Sequence, residues 1–412
     1  MAYDETSFRR TDERSDDQPS DPAAYRANTL AAAEQRRRAE QLDEPDTSGD
    51  LRPAAAEDDG RDRLGIHLGW EVVLLLAAVA MGFLLWRLDP ETLKRPGLDG
   101  LLVSGAATGL LTMGAGLTLR AGVPNLALGP IALAASLQYA EQGDQGLVKA
   151  AVPALIFAAA GAILIGLVIV VLHVPGWAAT LAGGLGVIVY DQLRAAPVQV
   201  QGNYDPTDQA FFLFGGFALL AVLGGALGTI TPLRRWVGGL RPSGDPAVRR
   251  GAAVAVPVLG SLLLSSVFAV AAGVLMAAQS KTAIVPGTGL EWTGIAVGLA
   301  MLAGTSAYGR RGGIFGTLFA VAALTLFLDW SARKDLGIAL FAIAACVFGG
   351  GLIITRLVET YGRPLPPRVV DWNAAPTGAA ANWTPDLPGT WTPATTAPKA
   401  DRWDDGPWGS SR

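Results

Sequence analysis

Four polar side chains that could hydrogen-bond a small solute lie in three stretches rich in glycine and proline, residues 121–130, 173–186 and 302–318. They are Asn125, Thr180, Thr305 and Ser306. One amide and three hydroxyls can donate and accept hydrogen bonds without carrying charge, so they suit a neutral solute. Simpler roles also fit, because Asn125 can cap a helix and the glycines after residue 302 can form a compact turn.

The side chains that most catalytic and metal sites need are scarce. Cys346 is the single cysteine, and His67 and His173 are the two histidines. An intramolecular disulfide framework and a thiolate cluster are therefore excluded, and a histidine zinc site has almost no ligands. The net charge of -4 argues against a nucleic-acid partner. We expect no cofactor and no enzymatic activity.

The elements that position the four polar residues are apolar segments. Charged residues form 17% of the chain, against about 25% in average soluble proteins, and they are concentrated near its two ends. A bilayer core about 30 Å thick needs about 20 helical residues. The middle of the chain contains ten apolar segments, at residues 68–88, 99–119, 124–140, 150–172, 177–192, 209–230, 251–279, 290–307, 313–329 and 337–356.

These segments predict an all-α, polytopic membrane helix bundle with about 8–10 transmembrane helices. The third, fifth, eighth and ninth segments are shorter than the others and contain glycine or proline near their ends. Short segments of this kind are typical of helices that begin or break inside a membrane protein, where neighbouring helices satisfy the freed backbone groups.

Two polar tails flank the predicted membrane domain, residues 67–359. Residues 1–66 are rich in charge and residues 360–412 in proline, threonine and tryptophan, so both are predicted to be disordered. Five arginines in the loop 231–250, with Arg61 and Arg63 before the first segment, favour a cytoplasmic location for this loop and both tails. Trp-Thr-Pro occurs at 383–385 and 391–393, either as a docking motif or within a solvated tail.

The third polar stretch resembles a signature of the permease subunits of bacterial ABC importers of the ribose, simple-sugar and nucleoside type. Ala303-Gly304-Thr305-Ser306, Gly309, Arg311-Gly312 and Gly316-Thr317 are in register with it. Residues 286–289 and 294–297 are similar to the preceding loop and helix of that family. Residues 123–129 resemble its Asn-containing third helix, and Val174-Pro175 with Thr180-Leu181 resemble its Val-Pro and Thr-Leu motif.

The resemblance implies a separate ATPase subunit, because the chain has no Gly-x-x-x-x-Gly-Lys-Ser/Thr sequence. It also implies an extracytoplasmic solute-binding protein and a homodimer or a heterodimer with a related permease. In the family, a cytoplasmic loop carries a short helix that contacts the ATPase, and residues 233–250 match that loop. The coupling residues implied here are Arg234, Arg235, Asp245, Arg249 and Arg250.

Other interpretations of these residues remain open. Asp245 before Pro246 is a good helix start, but Arg249 and Arg250 can also anchor the next segment at anionic membrane lipid. We expect a transmembrane permease in the bacterial plasma membrane that moves a small neutral solute of the sugar or nucleoside class. The alternative is a non-transporting membrane scaffold that keeps the permease-like fold and recruits cytoplasmic partners through its long tails.

Overall fold

The computed structural model describes residues 64–242, 251–280, 282–307 and 313–362. Strand pairing in these ranges is limited to one antiparallel bridge between Val198 and Ile284, so the predicted all-α fold class is confirmed. The described ranges contain eleven α-helices, which we number in chain order. They are α1 (Leu64–Leu88), α2 (Gly97–Arg120), α3 (Leu128–Gln142), α4 (Leu147–Leu172), α5 (Gly176–Gln192), α6 (Ala210–Thr229), α7 (Thr231–Gly239), α8 (Ala255–Ser280), α9 (Leu290–Leu302), α10 (Gly316–Arg333) and α11 (Leu340–Gly362).

Each of the ten apolar segments contains one of these helices, and α7 is the additional one. Six described helices are long and apolar enough to cross a membrane: α1, α2, α4, α6 with the turn before it, α8 and α11. The remaining four, α3, α5, α9 and α10, have 15, 17, 13 and 18 residues and are the segments predicted to be short. These are the properties of a multi-pass membrane protein. The total of 8–10 crossings stays a prediction.

The predicted tails lie almost wholly outside the described residues. The described part begins with α1 at Leu64 and ends with α11 at Gly362, slightly beyond the expected limits of 67 and 359.

Contacts at the helix ends define two faces of the bundle. At the face where α1 begins, which we call the N-face, Trp70 Nε1 donates to the Leu302 carbonyl at the end of α9. At the opposite face, the Arg333 guanidinium at the end of α10 lies 2.8 Å from the Asp89 carboxylate just after α1. Both described ends of the chain lie at the N-face, because α11 runs parallel to α9 and packs Gly351 against Gly298.

The centre of the bundle is built on the antiparallel pair α2 and α8. The Gln279 side chain at the end of α8 donates to the Gly100 carbonyl (2.7 Å) and accepts from the Ser104 hydroxyl (3.0 Å), both near the start of α2. Glycine lets the backbones approach, because a Cβ on Gly273 of α8 would overlap the Ala132 carbonyl of α3. The short helices α3 and α9 pack against this central pair.

Candidate functional site

Helices α3 and α9 begin next to each other in the interior of the bundle. The Gly129 backbone N-H of α3 donates to Thr293 Oγ1 of α9 (2.9 Å), and the Thr293 hydroxyl approaches the Leu126 carbonyl (3.3 Å). Gly129 and Gly289 touch through their backbones, so a Cβ on either residue would overlap the other. We call this meeting point of the two helix starts the α3–α9 junction.

The two short helices leave the junction in opposite directions. Helix α3 runs to the opposite face, where the Ala140 carbonyl accepts from Gln201 N (3.1 Å). Helix α9 runs to the N-face, where Leu302 contacts Trp70. Each short helix follows a long one, α2 or α8, and these run antiparallel. The pairs α2–α3 and α8–α9 therefore repeat one arrangement with inverted direction, as in many transporter folds.

The connection between α2 and α3, residues 121–127, is non-helical backbone that enters the bundle. Asn125 is 2% exposed, and its Nδ2 donates to Ser265 Oγ (3.0 Å) near the middle of α8. Its backbone N-H donates to Thr118 Oγ1 (3.2 Å), and its Oδ1 accepts from Ala127 N (3.1 Å). Because α3 begins only at Leu128, Asn125 stabilises the connection rather than capping the helix.

Thr180 joins α5 to the same connection. Its hydroxyl is fully buried and lies 2.7 Å from the Pro124 carbonyl and 3.0 Å from the Gly176 carbonyl. The structure therefore brings Thr180 next to Asn125, two of the four residues expected to line a path.

A cleft of about 160 Å³ opens beside this contact at the N-face. A liquid water occupies about 30 Å³, so the cleft has room for a few waters and is smaller than most ligand pockets. Its lining is Gly122, Pro124, Val174, Pro175, Gly176, Trp177 and Pro242. Pro124 takes part in both features, since its carbonyl contacts Thr180 while the residue itself borders the cleft.

Thr305 and Ser306 lie just past the end of α9 and are 3% and 2% exposed. Gly304 has a φ of 98°, its N-H donates to Met301 O, and Thr305 N donates to Ala300 O, which is a Schellman-type helix end. Helix α9 therefore ends at this glycine, whereas residues 308–312 of the expected Gly/Arg turn lie outside the described residues. A Cβ on Gly116 of α2 would lie 3.9 Å from Thr305 Oγ1, on a different side of α2 from the Asn125 contact.

Two α1 side chains secure the region around Thr305. Trp70 Nε1 lies 2.6 Å from the Leu302 carbonyl, and the buried Glu71 carboxylate accepts from Phe315 N (3.3 Å) just before α10. A carboxylate at a helix start offsets the positive end of the helix dipole.

The electrostatics of the junction come from backbone groups and one carboxylate. The positive ends of the α3 and α9 dipoles meet there, and helix starts of this kind point at anionic substrate groups in transporters. Glu291 in the first turn of α9 offsets part of this positive potential. One of its oxygens, Oε2, is buried without a hydrogen-bond partner among the described residues.

A charged pair lies at the opposite face, between α3 and the end of α5. The Arg194 guanidinium binds both oxygens of the Glu141 carboxylate, through Nε to Oε1 and through NH2 to Oε2 (3.0 Å). This bond raises the pKa of Arg194 above its already high usual value, so its charge is permanent.

The residues implied in ATPase coupling are described only in part. Arg234 and Arg235 lie on α7, and Arg235 is exposed. Asp245, Arg249 and Arg250 fall outside the described residues, as does the helix start expected at Asp245. A short helix does occur in this loop, but it begins at Thr231. It presents Leu233 and Trp236, which are 38% and 55% exposed.

Several residues of the site had not been singled out from the sequence, although a signal was present. They are Thr118, Ser265 and Thr293 around the junction, and the buried acids Glu71 and Asp191. Each is a polar or ionisable residue inside an otherwise apolar segment. Such residues are costly to bury in a membrane, so their presence indicates a structural partner or a function.

Comparison with known proteins finds no matching protein family, no matching curated protein and no matching solved structure.

Proposed function

We propose that the chain is the permease subunit of an ABC transporter and moves a small neutral solute of the sugar or nucleoside class. The α3–α9 junction is the observation that carries this proposal. Two interrupted helices meet inside an apolar bundle and bring non-helical backbone and an amide to its middle. In a membrane, such backbone is tolerated only where it is enclosed by protein or lines a pathway.

The chemistry near the junction favours a neutral solute. Asn125 and Thr180 beside the connection, and Thr305 and Ser306 past the far end of α9, offer uncharged donors and acceptors, and in transport they line the path of the solute. In the state described by the structure, Asn125 and Thr180 bond inside the bundle. Transport then requires a second state in which these bonds open and the solute replaces them.

Energy enters through a separate ATPase subunit at the N-face, with the partners that the resemblance implies. Helix α7 is the proposed contact because it exposes Leu233 and Trp236 beside Arg235, between α6 and α8. Exposed aromatic side chains flanked by arginine are typical of interface anchors. The proposed location is the bacterial plasma membrane, with the N-face and both tails in the cytoplasm. Lipid surrounds the apolar outer faces, and the permease pairs with a second copy or a related chain.

Uptake by cells tests the transport proposal. A deletion strain should lose uptake of at least one radiolabelled solute from a panel of sugars and nucleosides, and the full-length gene should restore it. Unchanged uptake across the whole panel would overturn the proposal.

A scaffold role is the alternative, and copurification separates the two. Transport predicts an ATPase subunit bound to the full chain and lost on Trp236→Ala. Trp177→Ala is the matched control, because Trp177 is 57% exposed but belongs to the cleft on another element. Absence of an ATPase together with a partner that depends on residues 1–66 or 360–412 would favour the scaffold.

A further inference from the structure

Asp191 is a buried carboxyl group that the proposed transport path does not use. It lies in the last turn of α5, where it is 0% exposed. Neither of its side-chain oxygens has a hydrogen-bond partner among the described residues. An ionised carboxylate in this setting has lost its water without gaining donors, which is among the most costly arrangements in a protein.

The nearest cation in the described part of the chain, Arg194, already binds another acid. Arg194 follows Asp191 by three residues, but its Nε and NH2 bind Glu141 and its NH1 approaches the Tyr190 carbonyl (3.4 Å). The Tyr190 ring also packs against the guanidinium, 4.8 Å from its centroid. With both acids ionised, one arginine would balance two buried or half-buried negative charges.

Among the described residues, no other base close to Asp191 resolves this imbalance. Lys149, on α4, is exposed, and so are Asp144 and Asp208. Several described titratable and charged groups lie on the elements around this end of α5. They are Tyr139 and Glu141 of α3, Lys149 of α4, Asp144 of the turn between α3 and α4, Tyr204, Asp205 and Asp208 of the following loop, and Tyr190 and Arg194 of the α5 segment itself.

We propose that Asp191 is a proton-binding site and holds a proton from water at neutral pH. A metal ion would need several oxygen ligands, and the described residues contain no group of three or more acids, histidines or cysteines able to hold one. A proton needs no further ligand and no cavity. It converts the buried carboxylate to a neutral acid and leaves Arg194 entirely to Glu141.

The site also controls the link between α3 and α5. When Asp191 loses its proton, it becomes an alternative partner for Arg194, three residues away on the same segment. The Glu141 contact then weakens, and with it the bond that ties the two short helices together at the opposite face.

Infrared spectroscopy tests the proton directly. The purified full-length protein is placed in nanodiscs of phosphatidylethanolamine and phosphatidylglycerol, and spectra are taken across a pH series. Wild type should show a protonated-carboxyl C=O band at pH 7, where exposed acids are ionised, and the band should disappear at higher pH. Asp191→Asn should lose the intensity that Asp191 contributes, which a wild-type-minus-variant difference spectrum measures, and Asp144→Asn, which alters an exposed acid near the same face, should leave the band unchanged.

Glu141→Gln provides a second measurement that does not remove Asp191. It leaves the positive Arg194 without its carboxylate, so the anion of Asp191 becomes easier to form. The band should then disappear at a pH that is lower than in wild type by about one unit, which corresponds to tenfold weaker proton binding. A wild-type protein with no such band at pH 7 would overturn the proposal even if the variants do not fold. A band that persists unchanged in Asp191→Asn would also overturn it.

Discussion

The outer helices and the α3–α9 junction have opposite compositions. On α4 and α6, Phe157 and Phe212 are 78% and 84% exposed, whereas the polar residues Asn125, Ser265 and Thr293 in the interior are almost fully buried. A soluble protein distributes these residue types the other way around. The difference indicates that the outer surface is made for lipid and that the polar chemistry is reserved for the place where helices are interrupted.

The largest effect should come from removing a buried aromatic ring of α6, compared with removing an exposed ring of the same helix. Phe217 of α6 is 2% exposed and its ring fills the space beside Gly109. Phe217→Ala should lower the free energy of unfolding in detergent by about 3–5 kcal/mol. Phe212→Ala, on the lipid-facing side of α6, should change it by less than about 1 kcal/mol. Equal losses for the two variants would show that the exposed face is not a lipid face.

A methyl group at the junction should be the next most disruptive change. Gly129→Ala places a Cβ against the Gly289 carbonyl and forces α3 and α9 apart. We expect a loss of about 1–3 kcal/mol in the same unfolding measurement, because overpacking strains the backbone. Gly215→Ala is the matched control, since a Cβ at this exposed position of α6 meets no atom within 4 Å. Similar stability of the two variants would argue against a close α3–α9 contact.

The contact between Asn125 and Ser265 should carry a smaller, measurable coupling. A double-mutant cycle of Asn125→Ala and Ser265→Ala should give a coupling energy of about 0.5–1.5 kcal/mol, the range of interhelical hydrogen bonds in membranes. Additive effects would mean that the amide does not bond to α8.

The smallest predicted difference is between the losses of stability caused by breaking two different salt bridges. Glu141→Gln breaks the bidentate salt bridge to Arg194, whose side chain is 14% exposed. It should lower the free energy of unfolding by about 1 kcal/mol. Glu91→Gln removes the salt bridge to Lys94, in which both side chains are at least 66% exposed. It should lower the free energy of unfolding by less than about 0.5 kcal/mol. Thermal unfolding at low and high salt measures both, and a larger effect at Glu91 would reverse the comparison.

The helices themselves could be predicted from the sequence because each depends on a local run of apolar residues. All ten predicted segments contain a helix, and the four predicted short ones are α3, α5, α9 and α10. Proline and glycine near the ends of these four segments were sufficient to predict that they are short, since these residues interrupt helices locally. The start of α7 was not predicted, because its N-cap position is Ile230, which has no side chain able to cap a helix, whereas Asp245 is a strong capping residue.

The junction could not be predicted from local patterns. Gly129 and Thr293 are 164 positions apart, and their contact depends on how α2 and α8 pack. The sequence singled out Asn125 and Thr180 but gave no sign that the two lie together while Thr305 lies elsewhere around α2. That these residues line a path stays a prediction, because the structure describes one state, in which Asn125 and Thr180 bond inside the bundle.

Cysteine accessibility tests most directly whether the polar interior carries solute. Cys346 is the single cysteine, so a Cys346→Ser background permits Thr305→Cys and, as the lipid-facing control, Phe212→Cys. Thiolates form where water reaches them, so a small, membrane-permeant thiol reagent that reacts only with thiolates should modify position 305 during active transport and spare position 212. Modification should also block uptake. A cysteine at position 305 that never reacts in energised cells, while solute uptake proceeds, would contradict a pathway through this part of the bundle.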